Sequence, residues 1–379
     1  MKKLTLALAC VMTVGFLTAC GGQPANNSTP TDNSGSVSQS TTDNTQGDAL
    51  KVDVFYYDFS DVYISNVRNE MDSMLGGMDV NYNNWDAAGS QPTQTDQVNT
   101  AITAGSDLLI VNIVETSSPD AAQSIADAAK NAGIPVIFFN REVDNSVVNS
   151  YKKCAFVGTN APDAGHMQGE MIGNYLLDNY DTVDLNGDGK ISYVMFKGQE
   201  GNAEAEARTQ FAVEDANKLL TEKGKPELEY YDSSAATKYL VDQNGKWSAA
   251  AATDYMNTIL ATYSEANNNM IELVIANNDE MAKGAISALQ ATGYNKGEGS
   301  TTIPTFGVDA IEDARVLISE GKMTASVMQD AKGMAQTITT LAGNVKDNKD
   351  LMDGTDKFVV DDDVAKIRVP YQKYDSTSK

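Results

Sequence analysis

Between Asp184 and Arg208 the chain reads DLNGDGKISYVMFKGQEGNAEAEAR. Asp184, Asn186 and Asp188 put three oxygen-bearing side chains at alternate positions, and Gly189 follows where the backbone must turn sharply. This is the front half of an EF-hand calcium loop, whose oxygen ligands suit a hard cation. Lys190 has only its backbone carbonyl to offer, and Ser192 a hydroxyl, directly or through water. An EF-hand closes on a glutamate, and Met195 stands in that place. The loop therefore cannot complete its own coordination sphere. Behind it, Ile191 to Phe196 is an apolar run that predicts a buried strand, and after Gly198 a helix carries Glu204 and Arg208 on one face. An incomplete metal loop, a strand and a polar helix start predict a ligand site built at strand ends.

The elements around this stretch follow one rhythm. Val52 to Tyr57 predicts a strand, Asp61 to Leu75 a helix, Val80 to Tyr82 a strand, Asp96 to Ala104 a helix, and Leu108 to Val111 a strand. Pro119 opens a helix to Ala132, and the strand Ile134 to Phe139 follows. After Val157-Gly158-Thr159 the alternation restarts, with strands at 191–196, 228–231, 273–276, 304–307 and 324–328. Strands apolar throughout, alternating with helices, predict α/β architecture with parallel sheets covered on both faces. Two such halves predict two lobes with a cleft between them.

Ligands of open α/β sheets bind at the carboxyl ends of the strands. The residues just past those ends are Asp61, Tyr63 and Asn140 in the first half. In the second they are Asn202, Glu204, Arg208, Asn278, Asp309 and Gln329. Singly, such residues are ordinary helix caps and turn formers. As a set, short planar groups with both donors and acceptors suit a small neutral polyhydroxylated ligand better than a phosphate or a hydrophobe. Trp247 lies in the Gly245-Lys246-Trp247-Ser248 turn; it is a candidate, with Tyr63, for two flat faces stacking on a sugar ring, core packing being its other use.

The N-terminal end carries a different chemistry. Lys2 and Lys3 precede the apolar run Leu4 to Phe16, too short for a stable span, and Leu17-Thr18-Ala19-Cys20 resembles a bacterial lipobox. Residues 1–20 are thus expected to be a lipoprotein signal peptide, with Cys20 acylated. Residues 21–49, rich in Ser, Thr, Asn, Gln and Gly, cannot bury a core and predict a flexible tether. No later stretch is long and apolar enough to span a bilayer. The net charge of −24 argues against nucleic acid or an anionic membrane surface as partner. Outside the export segment Cys154 is alone, which predicts a buried structural thiol, and the single histidine, His166, predicts a partly exposed bystander.

The lipobox with IFFN, VGT, D-x-N-x-D-G, AEAR, VIANNDEMAKGA, FGVDA and IRVPY together resembles the galactose/glucose-binding proteins, receptors of sugar ABC importers with the type I periplasmic-binding-protein fold. The similarity runs in order from about Val52 to Tyr371. It implies two doubly wound parallel-sheet lobes joined by a three-segment hinge: one from 51–158 plus 330–366, the other from 159–329 plus 367–379. It implies that Glu272 closes the calcium site of Asp184, Asn186, Asp188, Lys190 and Ser192. It further implies that Asp61 meets the sugar 4-hydroxyl and that Tyr63 and Trp247 stack. Asn140, Arg208, Asn278 and Asp309 match polar sugar ligands. Tyr63, Asn202, Glu204 and Gln329 depart from the usual Phe, His, Asp and Asn, and Ser192 replaces a longer amide. The resemblance thus implies a monomeric, extracytoplasmic, lipid-anchored receptor for D-galactose or D-glucose serving an ABC permease. Another monosaccharide, or a sensing role in place of transport, is the alternative.

No G-x-S-x-G elbow or P-loop supports an enzyme, and His166 has no evident nucleophile partner. Asp61 with Glu204 or Asp309 is the pair that would imitate a glycosidase. A repressor of the same fold would need a DNA-binding motif where the signal peptide stands.

Overall fold

The computed structural model describes residues 49–378. The signal peptide, Cys20 and nearly all of the tether lie outside the described residues. In the first lobe β1 (Lys51–Tyr56), α1 (Val62–Gly76), β2 (Asn81–Asp86), α2 (Gln91–Thr103) and β3 (Leu108–Val111) follow one another. They continue into α3 (Asp120–Ala132), β4 (Val136–Asn140), a short α4 (Asn145–Asn149) and β5 (Cys154–Gly158). The chain then enters the second lobe through α5 (Ala161–Val183), β6 (Ser192–Lys197), α6 (Ala203–Glu222), β7 (Glu229–Tyr230), β8 (Leu240–Val241) and α7 (Ala249–Leu260). This lobe goes on with β9 (Leu273–Ala276), α8 (Asp279–Ala291), β10 (Thr305–Asp309), α9 (Glu312–Ser319) and β11 (Ala325–Met328). It returns to the first lobe for α10 (Ala331–Lys346), β12 (Val359–Val360) and β13 (Lys366–Arg368), and ends on β14 (Gln372–Asp375) in the second.

Each lobe has one sheet. The first is ordered β12-β13-β5-β4-β3-β1-β2, and the second β14-β11-β10-β9-β6-β7 with β8 also paired to β6. All pairings are parallel except β12 with β13 and β14 with β11. The alternation of side chains along a strand divides each lobe's core in two. Val52, Val54 and Tyr56 pack under α1 and α10, whereas Phe55, Leu109 and Val111 pack under α2 and α3. In the second lobe Val194 and Phe196 face α7 and α8, and Tyr193 and Met195 face α5 and α6. The chain passes between the lobes three times: from β5 to α5, from β11 to α10, and from β13 to β14.

Some elements differ from their sequence outline. β2 extends to Asp86 because it pairs with β1 along its whole length. α2 begins at Gln91, ahead of the expected Asp96, since Ser90 caps it by accepting from Thr93 N at 3.3 Å and a proline stands in the first turn. The Val157-Gly158-Thr159 segment is the end of a full strand, β5, whose Cys154 and Ala155 are buried. Among the described residues no helix is long and apolar enough to cross a membrane.

Candidate functional site

A cavity lies between the lobes. All nine strand-end candidates and Trp247 line it: Asp61, Tyr63 and Asn140 from the first lobe, and Asn202, Glu204, Arg208, Trp247, Asn278, Asp309 and Gln329 from the second or its edge. Tyr57, Ile64 and Arg141 line it as well. Sequence inspection passed over these three, yet Tyr57 directly follows β1 and Arg141 directly follows Asn140, so the strand-end rule extended by one residue would have found both.

Three lining residues are helix caps and wall at once. Asp61 Oδ1 accepts from Ile64 N at 2.8 Å, Asn202 Oδ1 from Ala205 N at 2.9 Å, and Asn278 Oδ1 from Met281 N at 3.0 Å. The remaining oxygen of Asp61 accepts from the Tyr57 hydroxyl at 2.5 Å, so this carboxylate is more engaged than its position after a strand suggests. Arg141 lays its guanidinium 4.2 Å from the centroid of the Tyr57 ring and donates to Gln199 across the cleft.

The backbone bends hard at three wall positions. Asn140 has φ 62°, Trp247 φ 56° and Asp309 φ 115°, left-handed conformations that cost energy for a residue with a side chain. Trp247 is held by close approach: a Cβ at Gly198 would stand 2.1 Å from its ring, so only glycine fits there. Asp309 accepts from Gln329 Nε2 at 2.5 Å. The turn behind it is clamped by Asp279, which accepts from Ile311 N at 2.9 Å and from Ser326 Oγ at 2.7 Å.

Arg208 donates from Nη1 to the Asn277 carbonyl at 2.9 Å and from Nη2 to the Tyr371 hydroxyl at 3.0 Å. Tyr371 also bonds Thr159 Oγ1 at 2.7 Å, so the guanidinium is oriented by residues at two of the three crossings. Around the cavity four buried polar atoms have no partner among the described residues: Arg141 Nε, Glu204 Oε2, Arg208 Nε and Gln329 Oε1. Native interiors seldom leave such atoms unpaired. Burial pushes the carboxyls of Asp61, Glu204 and Asp309 above the ordinary range, against the pull of Arg208 on the last two and of Arg141 on the first.

The loop after α5 is a separate place. Asp184 accepts from the N–H groups of Gly187, Asp188 and Gly189 at 2.8, 3.2 and 2.9 Å, which winds the loop around its carboxylate. Glu272, buried, reaches in from just before β9 and accepts from Leu185, Asn186 and Ser192 N–H at 2.8, 3.3 and 2.9 Å. Among the described residues no three His, Cys, Asp or Glu side chains stand close enough to hold an ion by themselves. An ion here would draw also on the Asn186 amide, the Lys190 carbonyl and the Ser192 hydroxyl, an all-oxygen set that fits a hard divalent cation.

Residues 52–350 match the model of the periplasmic binding protein domain family. The chain is 34% identical over 324 residues to the D-galactose/methyl-galactoside binding periplasmic protein of Haemophilus influenzae, covering 85% of this chain and 88% of that one. It is 31% identical to a putative rhizopine-binding protein of Rhizobium meliloti, over 73% of this chain and 78% of the relative. Among solved structures it is similar in fold to an ABC transporter solute binding protein of Clostridium phytofermentans with bound β-D-glucose. That match has a TM-score of 0.66 and 21% identity, over 86% of this chain and 94% of the other. A second, from Bacillus halodurans with bound myo-inositol, gives 0.65 and 24%, over 87% and 95%.

Proposed function

This chain belongs to the periplasmic binding protein domain family, and from that premise we propose that it is an extracytoplasmic solute receptor of a sugar ABC importer. Its ligand is one aldohexopyranose, D-galactose or D-glucose. The observation that carries this is the cavity wall, where four buried polar atoms without partners among the described residues share the lining with Tyr63 on one lobe and Trp247 on the other. Sugar C–H groups gain apolar contact on aromatic faces while hydroxyls pair with donors and acceptors at the rim. Arg208 donates, the carboxylates accept, and the amides of Asn140, Asn278 and Gln329 do both. Closing the lobes on such a ligand buries it, and the closed form is what a permease would engage. The proposal includes acylation at Cys20 and a structural calcium ion in the 184–192 loop, closed by Glu272.

A second reading has its own support. Relatives of this chain include a D-apiose import binding protein and a xylitol-binding protein, so similar chains serve other polyhydroxylated ligands. Here Glu204 and Gln329 line the wall and are each one methylene longer than the usual Asp and Asn of the galactose/glucose-binding proteins, which reshapes the wall locally and favours another monosaccharide.

Calorimetry on sugar-free protein, with Trp247 fluorescence as a second signal, separates the two. D-galactose or D-glucose should bind at one site and D-ribose far more weakly, because each missing hydroxyl leaves a buried partner unpaired at about 1–3 kcal/mol. Ribose binding as tightly as both hexoses, or no heat from either hexose, would overturn the hexose assignment.

A further inference from the structure

Trp247 is held from three sides, and one hold comes from a residue outside the cavity wall. Its ring packs on Gly198, directly after β6, and its carbonyl accepts from Asn278 Nδ2 at 3.1 Å. The third hold is the turn on which it stands. β8 pairs with the end of β6, and Asp242, the next residue, donates its N–H to the Lys197 carbonyl at 3.0 Å. Asp242 is 2% exposed. Its Oδ1 accepts from Asn244 N at 2.9 Å, and its Oδ2 accepts from both the backbone N–H and the hydroxyl of Ser248, at 3.0 and 2.8 Å. Ser248 in turn caps α7 by accepting from Ala251 N at 3.3 Å. The carboxylate thus ties the end of β6 to the start of α7, with Trp247 between them.

We propose that Asp242 is the positioning residue for Trp247: it closes the turn that presents the indole to the ligand. Trp247 lies at φ 56°, a left-handed conformation that a residue with a side chain keeps only when its surroundings over-determine it. The turn supplies that constraint. Gly245, also left-handed at φ 63°, donates to the Asp242 carbonyl at 2.9 Å, and the carboxylate then catches the residue after Trp247. All three side-chain hydrogen bonds of Asp242 end between 244 and 248, so its influence falls on this turn. Without the carboxylate the Ser248 N–H loses its acceptor, and Trp247 is released to relax out of the left-handed region, which swings the indole off Gly198. An aromatic face fixed before the ligand arrives loses less freedom on binding than one that must first be ordered. The inference rests on the proposed function solely in taking Trp247 as a face for the sugar.

Fluorine NMR of protein carrying fluorotryptophan tests this, because the chain has two tryptophans, Trp85 and Trp247. Trp85 lies in β2, in the first lobe, and serves as the internal control. Trp247→Phe assigns the two signals. In sugar-free Asp242→Ala the Trp247 signal should move and show a larger solvent-isotope shift, as a more exposed indole does, while the Trp85 signal stays in place. Asp242→Asn, which keeps one acceptor oxygen for the turn, should give a smaller displacement in the same direction. Calorimetry with D-galactose and D-glucose should show affinity about tenfold weaker in Asp242→Ala. A Trp247 signal at its wild-type position, a Trp85 signal displaced as far, or unchanged affinity for a hexose that the wild type binds would overturn the proposal. Thermal unfolding shows whether each variant is folded; where Asp242→Ala is not, Asp242→Asn decides by the same criteria. If neither hexose binds, the hexose assignment fails, and the sugar-free spectra still decide the role of Asp242.

Discussion

Asp279 shows how a residue that only borders the cavity shapes it. Both its oxygens hold the strained Asp309-Ala310-Ile311 turn, and a Cβ at Gly307 would stand 2.2 Å from its Oδ1, so the strand is opened to admit it. Burial, partly offset by those hydrogen bonds, pushes its carboxyl up to about 7. The sign follows from linkage: the native state holds a proton that the unfolded chain releases near pH 4. This group's contribution is therefore fully present below that point, falls as pH rises toward 7, and is flat above it. Asp279→Asn should remove that fall in stability between pH 4 and 7. Urea unfolding at a series of pH values checks it; equal slopes in wild type and variant would show that Asp279 does not carry the proton.

At the scale of elements, the position of α6 matters most, since it carries Asn202, Glu204 and Arg208. It lies close against α5 because Gly165, Gly169 and Gly173 present no side chain to it: a Cβ at Gly169 would meet the Phe211 carbonyl at 2.8 Å and the Ala212 carbonyl at 2.9 Å. Backbone of that kind cannot yield without moving the helix. Gly169→Ala should thus lower stability by about 1–3 kcal/mol and weaken sugar binding together, measured by denaturant unfolding and calorimetry. A loss of stability with unchanged affinity would mean the site tolerates a shifted α6. The 184–192 loop joins α5 to β6 and is pinned by Glu272. Calcium bound only by the native state adds about 4 kcal/mol when free ion exceeds the dissociation constant a thousandfold. Chelator should then lower the melting temperature, and Glu272→Gln should abolish most of that response. Identical melting curves with and without chelator would remove calcium from the account.

For the whole molecule, three crossings between two sheets permit a hinge, and Thr159 and Tyr371, at two of them, are bonded to each other, Tyr371 also accepting from Arg208. The cavity-lining guanidinium is therefore held by a residue at one of these crossings. Residues 1–49 add the matter of where the molecule stands. Cys20→Ser should release the protein from the membrane fraction and stop incorporation of radiolabelled palmitate. Wild-type protein that takes up no label would exclude the anchor.

Local chemistry made much of this legible from sequence. The apolar runs specified parallel strands, and the residues just past them specified the wall, because in an open α/β sheet the strand ends converge regardless of the details. The Asp184-Asn186-Asp188 spacing specified the loop in the same way, and the motifs specified the family. Other features depend on groups distant in sequence meeting in space. Tyr57 occupying an oxygen of Asp61, Glu204 reaching Glu142 across the cleft, and Tyr371 steering Arg208 leave no periodic or spacing signal. The left-handed backbone at Asn140, Trp247 and Asp309 is equally silent, since packing around each residue, and not its own preference, imposes it. What the chain is follows from local patterns; how the wall of its cavity is built is decided where the two lobes meet.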